Sequence, residues 1–240
     1  MLLTNSDPLA VGVVRAIKTG DLVALPQMLA ANPGLVRAQI GDSKGTRTLL
    51  HIVTDWPGFF PNGPAVVKLL IKAGADPNAA TGETALHWAA SSDDVEVAEA
   101  LVLGGADIEV RGGSIAGGTA LENAIGYGCW RVANLLVHHG AKVEKLWHAA
   151  AMGMTSVLEK RFEETPTPST EEVNHAFWQA CHGGYRRAAE FLLTRGADLN
   201  WIPDYARETP LETASRAGMD TGREALVNWL RAKGARGEAK

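Results

Sequence analysis

The sequence predicts an all-α solenoid, a stack of antiparallel helix pairs, and three observations predict it. Within a repeat, the span from a fixed position in the first helix to the glycine closing the second is constant: His87 to Gly105, Glu122 to Gly140 and Trp178 to Gly196 are each 18 residues. Between repeats, Leu86 to Leu121 and Gly105 to Gly140 are both 35 residues. The closing signal, Gly-Ala-Asp or a variant, returns at Gly74, Gly105, Gly140, Gly196 and Gly234. Self-similarity at such a period marks architectures in which each repeat buries its apolar face against its neighbours.

Each element of the repeat has a local reason. Thr84, Thr119 and Thr209 stand where a hydroxyl can accept from the orphan amides of a helix start. A short apolar stretch with paired alanines follows, as at Ala89-Ala90. Gly128, Gly153, Gly184 and Gly218 break the chain before a second helix, whose apolar residues, such as Ala133, Leu135 and Leu136, fall at helical spacing. Glycine at its end accepts the left-handed conformation that terminates a helix.

Composition agrees. The chain has 240 residues, 46% hydrophobic and 21% charged, which fits a folded domain and excludes disorder. Alanine and glycine are abundant and aromatics only 6%, so the core is built from small residues; yet seven Trp outnumber five Phe and three Tyr. With 23 basic against 27 acidic residues the net charge is -4, which argues against a nucleic-acid binder. Two cysteines make no disulfide framework and no CxxC offers a zinc site. No run approaches the roughly 20 apolar residues of a membrane span, and the N-terminus lacks the basic region of a secretory signal. A cytoplasmic location follows as the expectation.

The segments Thr84-Ala-Leu-His-Trp-Ala-Ala90 and Thr209-Pro-Leu-Glu-Thr-Ala214, with the Leu-Leu-x-x-Gly-Ala-Asp ending, resemble the ankyrin repeat. The resemblance implies two antiparallel helices and a β-hairpin-like finger per repeat. First helices and fingers then line a concave face, and second helices form the back. Seven repeats are expected, at 8–42, 46–80, 81–110, 111–144, 145–166, 171–202 and 205–236, forming a single solenoid domain over 1–240. The fifth is shortened, and the Pro-rich segment 165–170 is read as a loop standing in for a missing finger; the alternative is a domain boundary, although the sequence resumes in phase on its far side.

Departures from the pattern carry the functional reading. His51 to Gly74 spans 23 residues, five more than elsewhere. The insertion falls in Asp55-Trp-Pro-Gly-Phe-Phe-Pro-Asn-Gly-Pro64, whose prolines stiffen it and whose Trp56, Phe59 and Phe60 are large apolar groups in a loop. They are either a lid or partner anchor, or a plug folded back on the end of the stack. The glycine-dense finger Arg111-Gly-Gly-Ser-Ile-Ala-Gly-Gly118 lacks the lysine of a P-loop and the preceding strand of a dinucleotide site, so it reads as a finger tip and not as a phosphate cradle. The motif histidine, which in the family ties neighbouring fingers together, is kept as His51 and His87; it becomes Glu122 and Glu212, and Trp147 and Trp178. The two indoles read as core packing, with an inter-repeat stack as the alternative.

By the resemblance, the concave face takes Asp55-Trp56, Ser91-Ser92, Gly126-Tyr127, Ala151-Met152, His182-Gly183 and Arg216-Ala217, with Arg47, Glu83, Gly118, Asn174 and Glu208 from fingers. Trp201, Asp204, Tyr205 and Arg207 extend the last finger. This mixed surface with aromatics near both ends suits a protein or peptide partner. The residues expected to bind it are Trp56, Phe59, Phe60, Tyr127, His182, Tyr205 and Arg207.

Chemistry has weaker footing. His51 and Asp55 are one helical turn apart, and His175, Cys181 and His182 are close in sequence. But His51 is the ordinary motif histidine, and Cys181 holds the second alanine position, where a thiol is a small hydrophobe. His138-His139 shows no metal-ligand spacing. No catalytic residue, cofactor or metal is expected. The expected function is a non-catalytic interaction module, monomeric in preference to homo-oligomeric. The alternative is a small-molecule binder or atypical enzyme with a pocket under the 55–64 loop near Tyr127. A third reading has the apolar loop pairing two copies.

Overall fold

Helix starts set the register. In a computed structural model that describes residues 1–216 and 221–237, the Thr48 and Thr84 amides each donate to the Nδ1 of a histidine three residues on, His51 and His87, at 3.4 and 3.2 Å. Thr119 and Thr209 do the same with the carboxylates of Glu122 and Glu212 at 2.9 and 2.8 Å. Reciprocal caps of this kind satisfy amides that a helix leaves open. The exchange of histidine for glutamate at the motif position therefore preserves its capping role. Gly105 and Gly140, at φ +94° and +95°, close second helices in the left-handed conformation expected of them.

The chain forms two compact parts, Met1–Ala141 and Lys142–Lys240. In the first, β1 (Leu2–Leu3) precedes the pair α1 (Pro8–Lys18) and α2 (Ala24–Ala31). The hairpin β2 (Gln39–Asp42) and β3 (Gly45–Thr48) leads to α3 (Leu49–Val53) and α4 (Gly63–Lys72). A second, shorter hairpin, β4 (Ala80–Thr81) and β5 (Glu83–Thr84), leads to α5 (Ala85–Ser92) and α6 (Val95–Leu103), and α7 (Ala120–Tyr127) with α8 (Trp130–His138) completes this part. First helices pack in the row α1, α3, α5, α7, and second helices in the row α4, α6, α8. Leu50, Leu70, Leu86, Leu101, Leu121 and Leu136 fill the interior. The N-terminal residues, which carry no repeat signal, add β1 in parallel to β2. Fingers pair as strands at only two places among the described residues; the glycine-dense finger 111–118 is held by turns instead.

The second part has three pairs: α9 (Leu146–Ala151) with α10 (Thr155–Glu163), α11 (Thr170–Gly183) with α12 (Arg186–Thr194), and α13 (Pro210–Arg216) with α14 (Thr221–Ala232). Again α11 packs on α9 and α13, and α12 on α10 and α14. Phe177, Leu158, Leu192, Leu226 and Leu230 form the core. The 165–169 segment is a loop, as read from its prolines, and α11 begins straight after it with extra N-terminal turns where a finger would stand. Ala217 and Gly218 lie outside the described residues.

Candidate functional site

The 55–64 insertion is fastened at each end. Asp55 accepts from Lys18 Nζ and from Arg47 Nη1, both at 2.7 Å. Lys18 Nζ also lies 5.2 Å from the centre of the Phe60 ring, a cation–π contact. In the middle, the Phe59 amide donates to Asp94 Oδ2 at 2.7 Å; the other carboxylate oxygen of Asp94 accepts from the Val97 amide at 3.3 Å, capping α6. At the far end Asn62 Nδ2 donates to the Gly20 carbonyl at 2.9 Å, and Gly20 lies so close to Pro61 that no Cβ would fit. Phe59 is held at φ +55°, a conformation a bulky side chain rarely adopts. The result leaves Trp56 79% and Phe59 59% exposed. These two rings do not plug the stack. Phe60 is half-buried, with Lys18 Nζ over its ring.

The face beside this loop is a polar network. Glu83 accepts from Asn123 Nδ2 and the Ser114 amide, both at 2.8 Å, and from Trp88 Nε1 at 3.1 Å. Asn123 Oδ1 accepts from the Ile115 amide at 3.1 Å. Two amides of the glycine-dense finger are thus already taken by a carboxylate and a side-chain amide, which fits the finger-tip reading. Tyr127, 53% exposed, bonds Ser114 Oγ at 3.2 Å.

The pairs considered for catalysis are engaged elsewhere. His51 Nε2 donates to the Glu83 carbonyl at 2.9 Å, so its Nδ1 is the acceptor, and the Thr48 hydroxyl fills it at 2.7 Å. Asp55 pairs with Lys18 and Arg47 instead of His51. Burial holds the His51 and His87 imidazoles below the usual histidine range. Burial also pushes the Cys181 thiol up, and the Cys129 thiol up to about 11, so neither supplies a thiolate near neutral pH. Both cysteines are free thiols. Among the described residues no three His, Cys, Asp or Glu side chains are placed to hold a metal ion, and no helix is long and apolar enough to cross a membrane.

In the second part the aromatic residues gather around α11. Trp178 Nε1 donates to the Glu208 carbonyl at 2.8 Å. His87 makes the same link to the Gly118 carbonyl at 3.2 Å, so this indole does the work of the motif histidine, tying its helix to the following finger. Trp147 does not stand in that way. The cap of α9 is His148, one residue later, which accepts from the Lys145 amide at 3.5 Å, while Trp147 packs on His148 and His175 with ring centres 4.2 and 5.5 Å apart. His182, expected on the binding face, is 8% exposed. It stacks on Trp178 at 5.3 Å and bonds Thr213 Oγ1 at 3.1 Å. The correction has a simple cause: α13 packs over the last turn of α11 and covers the imidazole.

Tyr205 and Arg207 are exposed as expected. The Tyr205 hydroxyl turns inward, 2.6 Å from His175 Nε2 and 3.2 Å from Gln179 Nε2. Burial of these polar ends pushes the tyrosine up to about 12 and His175 down to about 4, so both are neutral and His175 Nε2 accepts a hydrogen bond from the phenol O–H. Between the start of α11 and the 201–205 segment lies a cleft of about 500 Å³, whose walls include Glu171, Glu172, His175, Trp201, Asp204 and Tyr205. None of its lining comes from the 55–64 loop, under which the small-molecule alternative placed its pocket. The tyrosine and the tryptophan of this cleft stood out in the sequence. Glu171 and Glu172 did not, because acidic residues after a Ser N-cap read only as helix-start chemistry.

Residues 16–112 and 50–145 match the family model for ankyrin repeats (three copies), a match running over more than half of the chain. Protein PhlB of Serratia liquefaciens is 31% identical over 120 residues, 49% of this chain and 47% of that protein, so the aligned stretch spans about half the length of the relative. The crystal structure of the human ASB11 ankyrin repeat domain superposes with a TM-score of 0.53 at 18% identity, over 95% of this chain and 99% of that one. At that identity the likeness is one of fold.

Proposed function

Because this chain belongs to the ankyrin-repeat family, we propose that it is a non-catalytic interaction module that binds a protein or peptide on the face shared by its first helices and fingers. The observation that carries the reading is the 55–64 loop. Trp56 and Phe59 stand 79% and 59% exposed on a backbone tied to α1, β3 and the start of α6. Anchored aromatics of this kind dominate interface energies. Because the loop is already ordered, little conformational entropy is lost when a partner covers it.

In the first part Tyr127 adds a contact side chain and Phe60 sits under Lys18; Tyr205 and Arg207 carry the contacts proposed for the second part. His182 contributes indirectly, by holding Trp178. The same reading has the chain acting as a monomer in a reducing cytoplasm, in keeping with its two free thiols. The test is affinity capture from native lysate with the Trp56→Ala/Phe59→Gly double variant as control. A partner retained by the wild type and lost by a variant of unchanged circular dichroism supports the proposal. Equal recovery from both refutes it.

A further inference from the structure

The cleft beside α11 has the chemistry of a cation site. Its walls are aromatic: the Trp201 and Tyr205 ring centres lie 6.2 and 5.6 Å from that of His175. Its rim is acidic, with Glu171, Glu172 and Asp204. Glu172 is already committed, since the Ser169 amide and hydroxyl each donate to it at 2.8 Å and hold its carboxyl below the usual range. Glu171 and Asp204 have no ion-pair partner among the described residues. His175 itself is neutral, held so by burial and by the nearby charge of Lys145.

An anion would meet two uncompensated carboxylates here, although the cleft lies at a helix N-terminus. A planar cation with several donors meets carboxylates and aromatic faces.

We propose that this cleft receives an arginine side chain from a basic peptide segment of the partner. The inference rests on the reading of the chain as a peptide-binding module and adds the chemistry of its ligand. Its volume of about 500 Å³ is that of a ligand pocket, large enough for a guanidinium, its stem and adjoining backbone.

The experiment titrates the full chain with acetyl-Gly-Ala-Arg-Ala-Gly-amide, with the same peptide carrying neutral citrulline, and with free L-arginine. The readout is the indole N–H resonance of Trp201, assigned with Trp201→Phe. The arginine peptide is expected to shift it saturably and to bind at least about tenfold more tightly than the citrulline peptide or free arginine. Glu171→Gln/Asp204→Asn, which changes two exposed carboxylates, should weaken it by a similar factor, and 0.5 M salt should weaken it as well. Equal binding of arginine and citrulline peptides overturns the proposal. So does free arginine binding as tightly as the peptide, which would mark a small-molecule site. A Trp201 resonance that never moves, with Trp56- and Phe59-dependent capture intact, overturns this proposal alone. Loss of that capture dependence overturns the interaction reading of the loop instead.

Discussion

Asp94 joins the exposed loop to the scaffold, and Asp94→Ala is the sharpest perturbation of that joint. The carboxylate is 2% exposed, caps α6 through the Val97 amide and pins the Phe59 amide at 2.7 Å. Loss of an N-cap costs about 1 kcal/mol. Loss of a hydrogen bond to a charged group costs about 1.5–3 kcal/mol. Against this, a released Phe59 can leave its left-handed conformation and recover about 1 kcal/mol of strain. The net destabilisation is therefore about 1.5–3 kcal/mol, or a fall in Tm of about 3–12 °C at this chain length. Calorimetry reads the Tm, and hydrogen exchange reads the amides of residues 55–62, which should lose protection. Asp94→Asn keeps a single acceptor oxygen, enough for the Val97 or the Phe59 amide but not for both, and should cost less than the alanine. A variant Asp94→Ala that melts within about 1 °C of the wild type, with unchanged exchange in the loop, would show that the pin does not hold it.

Three further outcomes follow from the same contacts. Leu86→Ala and Leu136→Ala, both essentially fully buried, should each cost about 2–5 kcal/mol in urea unfolding, whereas Trp56→Ala should cost less than about 0.5 kcal/mol; a near-zero effect at both leucines would contradict the repeat register. Trp178→Phe removes the N–H that ties α11 to the Glu208 carbonyl and should cost about 1–2 kcal/mol, with faster exchange at residues 205–209; unchanged exchange there would argue against the tie. His51 and His87 are held below the usual histidine range and His175 at about 4. The unfolded chain therefore takes up protons below about pH 6.5 that the folded chain refuses, so the stability present above that pH is lost as pH falls toward 4, at about 1.4 kcal/mol per pH unit for each such proton. The urea midpoint should drop between pH 7 and pH 5, and a flat or rising midpoint would refute the neutral assignment.

The repeat was legible because its signals are local and recur: a threonine cap, a leucine, paired small residues and a terminal glycine at fixed distances. Trp56, Phe59, Tyr127 and Tyr205 were legible as surface candidates because large aromatics at a loop or helix end break that pattern. What the sequence hid depends on partners distant along the chain. Nothing near Asp55 announces Lys18, 37 residues earlier, and nothing near Phe59 announces Asp94, 35 residues later. His182 looked like a face residue by alignment alone, and only the packing of α13 shows it covered. Trp147 and Trp178 align equally well with the motif histidine. They differ because α9 starts one residue late and hands its cap to His148.

The central claim is that the partner contacts the pinned aromatic loop and not the second-helix side. Site-specific photo-crosslinking tests it most directly, with a benzophenone amino acid at position 56 or 59, and at the exposed position 99 of α6 as the control. Adducts with one partner from 56 and 59, and none from 99, are the predicted result; adducts from 99 with none from the loop would contradict the account.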